Sequence, residues 1–169
     1  MAATYTLISS NTLSASAASV TFSSIPSTYT DLVLRMSIRD NYSATSTAYN
    51  LKINGVTTTQ SATRLYGTGS AVASNRQTAL VDFYRMSAAT STANTFGSLE
   101  LYIPNYAGST NKPMSNFGVA ETNATATEMG TEAFLWSNTA AITSLEVVEY
   151  AGSTFASGSS FFLYGIKNS

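Results

Sequence analysis

Nine carboxylates, ten tyrosines, no histidine and no cysteine set what chemistry this chain could do. Acid–base work by paired carboxylates needs two groups converging at about 5 to 9 Å. Glu146 and Glu149 lie close in sequence, but an extended strand sends them to opposite faces, and Glu100 could meet one of them only across two sheets. All three are expected to be charges on a wet face. Serine is abundant, yet there is no histidine to serve as its base and no GxSxG turn. Lys52, Lys112 and Lys167 stand at no recognisable Ser-Lys spacing. The stretch from Gly67 to Asn75 holds glycines but lacks the GxxxxGK[ST] pattern that cradles phosphate, so it reads as a loop. Thiolate and imidazole zinc ligands are absent. No catalytic residue is assigned, no metal or cofactor is expected, and the chain does not read as an enzyme.

The tyrosines offer a different chemistry. Aromatic rings stack on the apolar faces of sugars, while Ser, Thr and Asn bond the hydroxyls. Tyr42, Tyr66, Tyr84, Tyr102 and Tyr106 are the candidate surface-contact aromatics. The same rings serve equally in strands and in interface cores. Asn41-Tyr-Ser and Asn123-Ala-Thr match the glycosylation pattern, a short motif in a chain this rich in Ser and Thr.

The elements that must position these residues read as strands. Asp31 to Arg39, DLVLRMSIR, puts Leu32, Leu34, Met36 and Ile38 on one side of an extended chain. A helix would scatter those four around its axis. The same alternation marks Ser19–Ile25, ended by Pro26, and Tyr49–Ile53, followed by Asn54-Gly55 and the β-branched run Val56–Thr59. Asn-Gly between two such runs predicts a type I′ hairpin. Phe96–Ile103, Met114–Ala120, Ala133–Trp136, Ala141–Tyr150 and Phe161–Ile166 follow, with Tyr5–Ile8, Arg64–Tyr66 and Ala79–Met86 as further candidates. Phe161–Ile166 and Ala79–Met86 read as apolar on both faces. Glu121–Thr131 is polar and Ala-rich, with room for a short helix at most. The expected fold is all-β, a single antiparallel β-sandwich domain over 1–169, jelly-roll-like, with about ten strands. Leu32, Leu34, Met36, Ile38, Leu99, Leu101, Ile103, Leu145, Val147 and Leu163 are its expected core.

Charged residues make up only 10% of the chain and the net charge is -1. Phosphate neutralisation needs a basic patch, so no nucleic acid is expected as a partner. No apolar run approaches the roughly 20 residues of a membrane span, so no membrane is expected either. MAATYTLISSN lacks a basic segment followed by an apolar one, so no signal peptide is expected.

Five stretches carry a resemblance: ASAASVTFSSIPSTYTDLVLRMSIRD, RLYGTGS, ANTFGSLELYIPNYAGS, NKPMSNFGVAETNATA and FLWSNTAAITSLEVVEYAGSTFASGSSFFLYGIK. Together they resemble small virion proteins of tailed phages, common in aquatic phages including those of cyanobacteria. The likeness runs from about Thr4 to Lys167, in the order TFSSIP, DLVLR, IPNY, FFLYGI. It implies a structural β-sandwich on the virion, made in the host cytoplasm. Its partners would be the major capsid protein or other virion proteins. With the low charge and many aromatics, it leads to an expected homo-oligomer, a trimer before other forms. The absence of heptads and of collagen-like repeats turns the expectation toward a head decoration, or cement, protein. The alternative is a tail or fibre component that binds a receptor or carbohydrate.

Overall fold

The computed structural model describes residues 4–123 and 126–167. Among these, twelve strands form two antiparallel sheets. In chain order they are β1 (Thr4–Thr12), β2 (Ser19–Phe22), β3 (Asp31–Ile38), β4 (Ser46–Ile53), β5 (Gln60–Gly67) and β6 (Val72–Thr78). The second half holds β7 (Asp82–Ser87), β8 (Gly97–Ile103), β9 (Lys112–Glu121), β10 (Thr127–Trp136), β11 (Leu145–Glu149) and β12 (Ser160–Lys167). One sheet runs β1-β12-β3-β8-β9-β10-β5-β6 and the other β2-β11-β4-β7.

Alternation does what the sequence requires. Leu32, Leu34, Met36 and Ile38 of β3 point inward beside Leu99, Leu101 and Ile103 of β8 and Phe161 and Leu163 of β12. They meet Leu51 and Ile53 of β4, Phe83 of β7 and Leu145 and Val147 of β11 in one continuous core. All ten expected core residues lie in it.

Several local readings are corrected. Asn54 (φ 52°) and Gly55 (φ 80°) form the expected tight turn, with the Ile53 and Val56 amides each donating to the other's carbonyl at 3.0 and 3.1 Å. The return strand is absent, however. Val56 makes only an isolated bridge, and the chain crosses to the other sheet as β5, longer than the Arg64–Tyr66 read from the sequence. The competing pull is Asn54 itself, whose Nδ2 donates to the Ala141 carbonyl (2.8 Å) and whose Oδ1 accepts the Thr143 and Ser144 amides. Residues 72–75 of the presumed Gly67–Asn75 loop belong to β6, an edge strand polar on both faces and so without a readable alternation. Thr127–Thr131, read as polar and Ala-rich, opens β10. In β12 only one face is fully covered, since Phe162 and Tyr164 point outward and are half-buried.

Gly118 of β9 and Gly130 of β10 stand opposite each other. A Cβ on Gly118 would collide with the backbone of Tyr84 and lie 2.6 Å from the Arg85 amide, and one on Gly130 would lie 2.8 Å from Tyr84 Cβ. These glycines let β7 drop directly onto the larger sheet.

Candidate functional site

Four connections gather at one end of the sandwich: residues 13–18, 39–45, 88–96 and 150–159. Arg39 ties the third to β3, its Nη1 donating to Ser91 Oγ (2.9 Å) and the carbonyls of Thr92 (2.8 Å) and Thr95 (2.9 Å). Asn41 Nδ2 donates to Ser16 Oγ (3.1 Å) and Thr154 Oγ1 (2.9 Å), joining the other three. Of the two glycosylation patterns, the one at Asn41 therefore has its amide engaged. The one at Asn123 runs into Ala124 and Thr125, outside the described residues.

Beneath this end two carboxyls share a buried site. Asp40 is fully buried, and its Oδ1 accepts the Tyr42 amide (2.9 Å). Glu149 accepts the amides of Ala151 (2.5 Å) and Ser153 (2.6 Å). Burial, and then a hydrogen bond shared with Glu149, raise the Asp40 pKa to about 7. Glu149 is thus no wet-face charge, contrary to expectation. Glu146 does face outward, paired with Lys52 at 3.2 Å. Glu100 lies on the outer face of the other sheet, paired with Arg35 at 2.8 Å, so the sandwich itself separates it from Glu146. Asp40 was missed because a polar turn gives no sign of which side chain will be buried.

Beside the loops, a cavity of about 200 Å3 is lined by Tyr42, Thr47, Asp82, Tyr84, Arg85 and Tyr150, among others. β4 and β7 form its floor. The guanidiniums of Arg64 and Arg85 lie 3.7 and 4.0 Å from the Tyr84 ring centroid, and Tyr66 packs 5.4 Å from the same ring. Arg85 is held by Glu128 (2.7 Å) and donates to Ser46 Oγ (2.9 Å).

Behind this wall runs a buried polar network. Glu132 Oε1 accepts from Arg64 Nε (3.2 Å) and the Tyr84 amide (2.9 Å), and Oε2 accepts from Asn116 Nδ2 (2.5 Å). Asn116 Oδ1 accepts from Tyr49 OH (2.7 Å), and Arg64 also pairs with Asp82 at 3.2 Å. Burial pushes the Glu132 pKa up against the opposing pull of Asn116, the Tyr84 amide and Arg64. Burial, with the Glu132 charge second, pushes Tyr49 well above the ordinary tyrosine value.

The five candidate tyrosines separate. Tyr42, 44% exposed, lines the cavity with Tyr84, and Tyr66 joins Tyr84 behind it. Tyr102 lies on the outer face of the larger sheet, its hydroxyl donating to Asp31 Oδ2 (2.8 Å), a bond that raises its pKa ahead of burial. Tyr106 is fully buried and donates to the Pro26 carbonyl, so it is a core residue and not a surface contact. Tyr150, 51% exposed, and Arg85 belong to the site and were not singled out from the sequence.

A second surface is the outer face of the eight-stranded sheet. Register lines up Phe162, Arg35, Glu100, Phe117, Thr131 and Leu65 across it, with Tyr164, Val33, Tyr102, Ser115, Ala133 and Thr63 in the adjoining row. Arg35 and Glu100 neutralise each other, and the second row runs on from Thr63 to the exposed Arg76 of edge strand β6. Tyr5, Leu7, Leu65, Phe117 and Met129 are each 43 to 50% exposed on this face.

No protein-family model matches the chain, and no curated protein matches it. What the chain offers chemically therefore rests on its own residues: one broad, nearly uncharged sheet face and one small tyrosine-rimmed cavity. Among the described residues no group of three or more acidic side chains converges as a metal site would require.

Proposed function

We propose that the chain is a structural protein of a tailed-phage virion: a head-decoration protein that binds the major capsid protein, self-associates, a trimer being favoured, and stabilises the shell by non-covalent contacts. The observation that carries this reading is the outer face of the eight-stranded sheet. Eight strands at about 4.8 Å spacing, each about 23 to 33 Å long, give a surface of roughly 1,000 Å2. That is close to the roughly 800 Å2 that each partner contributes to a standard interface. Its side chains are mainly apolar or hydroxyl, the Arg35–Glu100 pair is neutralised, and Arg76 stands at the β6 edge, so away from that edge little charge has to be desolvated on docking. The resemblance to small phage virion proteins supports the same reading.

We also read the topology as a jelly roll, a fold found in viral capsid and lectin domains. Eight strands fall into the order β1-β12-β3-β8 over β2-β11-β4-β7, and the hairpins β5–β6 and β9–β10 extend the first of these sheets. Fold alone does not assign function. A tail-tip protein that binds a receptor is the second reading, favoured by the cavity beside the end loops.

Phe117→Lys tests the docking face. Lysine puts a charge in the middle of the face while sitting opposite Glu100, where glutamate would repel. The variant is expected to keep a near wild-type thermal midpoint and to lose at least about tenfold in binding to phage particles in co-sedimentation. Undiminished binding would remove this face from the interface.

A further inference from the structure

We infer that the cavity between Tyr42 and Tyr150 is a binding site for a single neutral hexose unit, such as the end of a surface glycan. This holds wherever on a virion the protein sits, and it does not rest on the docking face. Size is the first argument, since about 200 Å3 is below the roughly 300 Å3 at which drug-sized pockets begin. One sugar ring is the scale that fits.

The ring chemistry is the second argument. Tyr84 already has two guanidiniums against it, so its faces are taken. Tyr42 and Tyr150 are free to stack, each half exposed on a connection fixed from below. The Tyr42 amide is held by Asp40 and the Ala151 amide, next to Tyr150, by Glu149. An apolar ring held half in water on a pinned backbone is a platform for the C–H face of a sugar, at little ordering cost. Thr47, Asp82 and Arg85 stand on the same wall as donors and acceptors for hydroxyls.

Charge decides the class of sugar. Arg64 and Arg85 are matched locally by Asp82, Glu128 and Glu132. The wall has no excess positive charge to hold a phosphate, sulfate or sugar acid. A neutral ring pays no such penalty.

Saturation-transfer NMR on the full chain would test this with the methyl glycosides of glucose, galactose, mannose and N-acetylglucosamine, and with adenosine as a flat aromatic competitor. At least one glycoside should receive saturation, strongest on the protons of one ring face. Tyr42→Ala and Tyr150→Ala should each weaken it about tenfold, with thermal midpoints unchanged because both rings are half exposed. No transfer to any glycoside would overturn the assignment. So would transfer that survives in the Tyr42→Ala/Tyr150→Ala double variant, or adenosine binding more tightly than every glycoside.

Discussion

Glu132→Ala is expected to destabilise the protein by about 4 kcal/mol, read from urea denaturation at neutral pH. Glu132 is almost completely buried and gathers three donors: Arg64 Nε, the Tyr84 amide and Asn116 Nδ2. Alanine would leave all three without that acceptor, and a buried guanidinium that loses a partner is costly. Asp82 still neutralises part of the Arg64 charge, which keeps the expected loss from being larger. Glu132→Gln retains an acceptor and the side-chain volume, so it should recover roughly half of the loss. The damage should also be local in its origin. The network clamps β5, β9 and β10 onto β7, so amide exchange should accelerate first in β7 and its neighbours. A cost below about 1 kcal/mol would mean that Glu132 does not carry the clamp.

Asp40→Asn should make the protein more stable above neutral pH, by about 2 to 4 kcal/mol at pH 8. The sign follows from the direction of the shift. The folded pKa, about 7, lies above the ordinary 3.8, so the folded state holds the proton more tightly than the unfolded chain. That stability is fully present below about pH 4, declines as pH rises, and is gone once pH passes about 7. Asparagine keeps a donor toward Glu149 and cannot ionise. The variant and the wild type should therefore have equal midpoints near pH 4, diverge steadily up to about pH 7, and keep a constant separation to pH 8. Glu132 has a raised pKa too, and contributes a slope of the same sign to both proteins. The difference between the two curves isolates Asp40. Parallel curves across that range would show that burial does not raise the Asp40 pKa in the folded protein.

These two sites show where sequence reading reached and where it stopped. β3, β8 and β11 were legible because apolar side chains alternate with polar ones and the sheets are wet on one side. The inward positions of β5 and β10 broke that rule. Arg64 and Glu132 face the interior, where a strand pattern predicts apolar residues, and they are tolerated because each brings the other's countercharge. Lys112 likewise turns inward, 6.0 Å from the Trp136 ring, with burial lowering its pKa. Such pairings depend on strands that are distant in sequence, so no local signal announces them. The same limit applied to the site. Ring chemistry singles out Tyr42 and Tyr84, which do come together, and on the same grounds Tyr106, which closes the core under Pro26. Tyr150 escaped notice because it ends a strand-like run and reads as part of it, while the strand stops at Glu149.

A head-decoration role is tested most directly by counting copies of the chain in purified virions. Quantitative mass spectrometry against the major capsid protein would give the ratio. A protein that docks on a symmetric shell through its broad sheet face repeats with the shell's own subunits, so the count should be on the order of hundreds per virion. It should also stay in fixed proportion to the capsid protein between preparations. A count of about three, six or twelve would place the chain on the tail or at a single vertex. That result, or its absence from the virion, would contradict the assignment to the head.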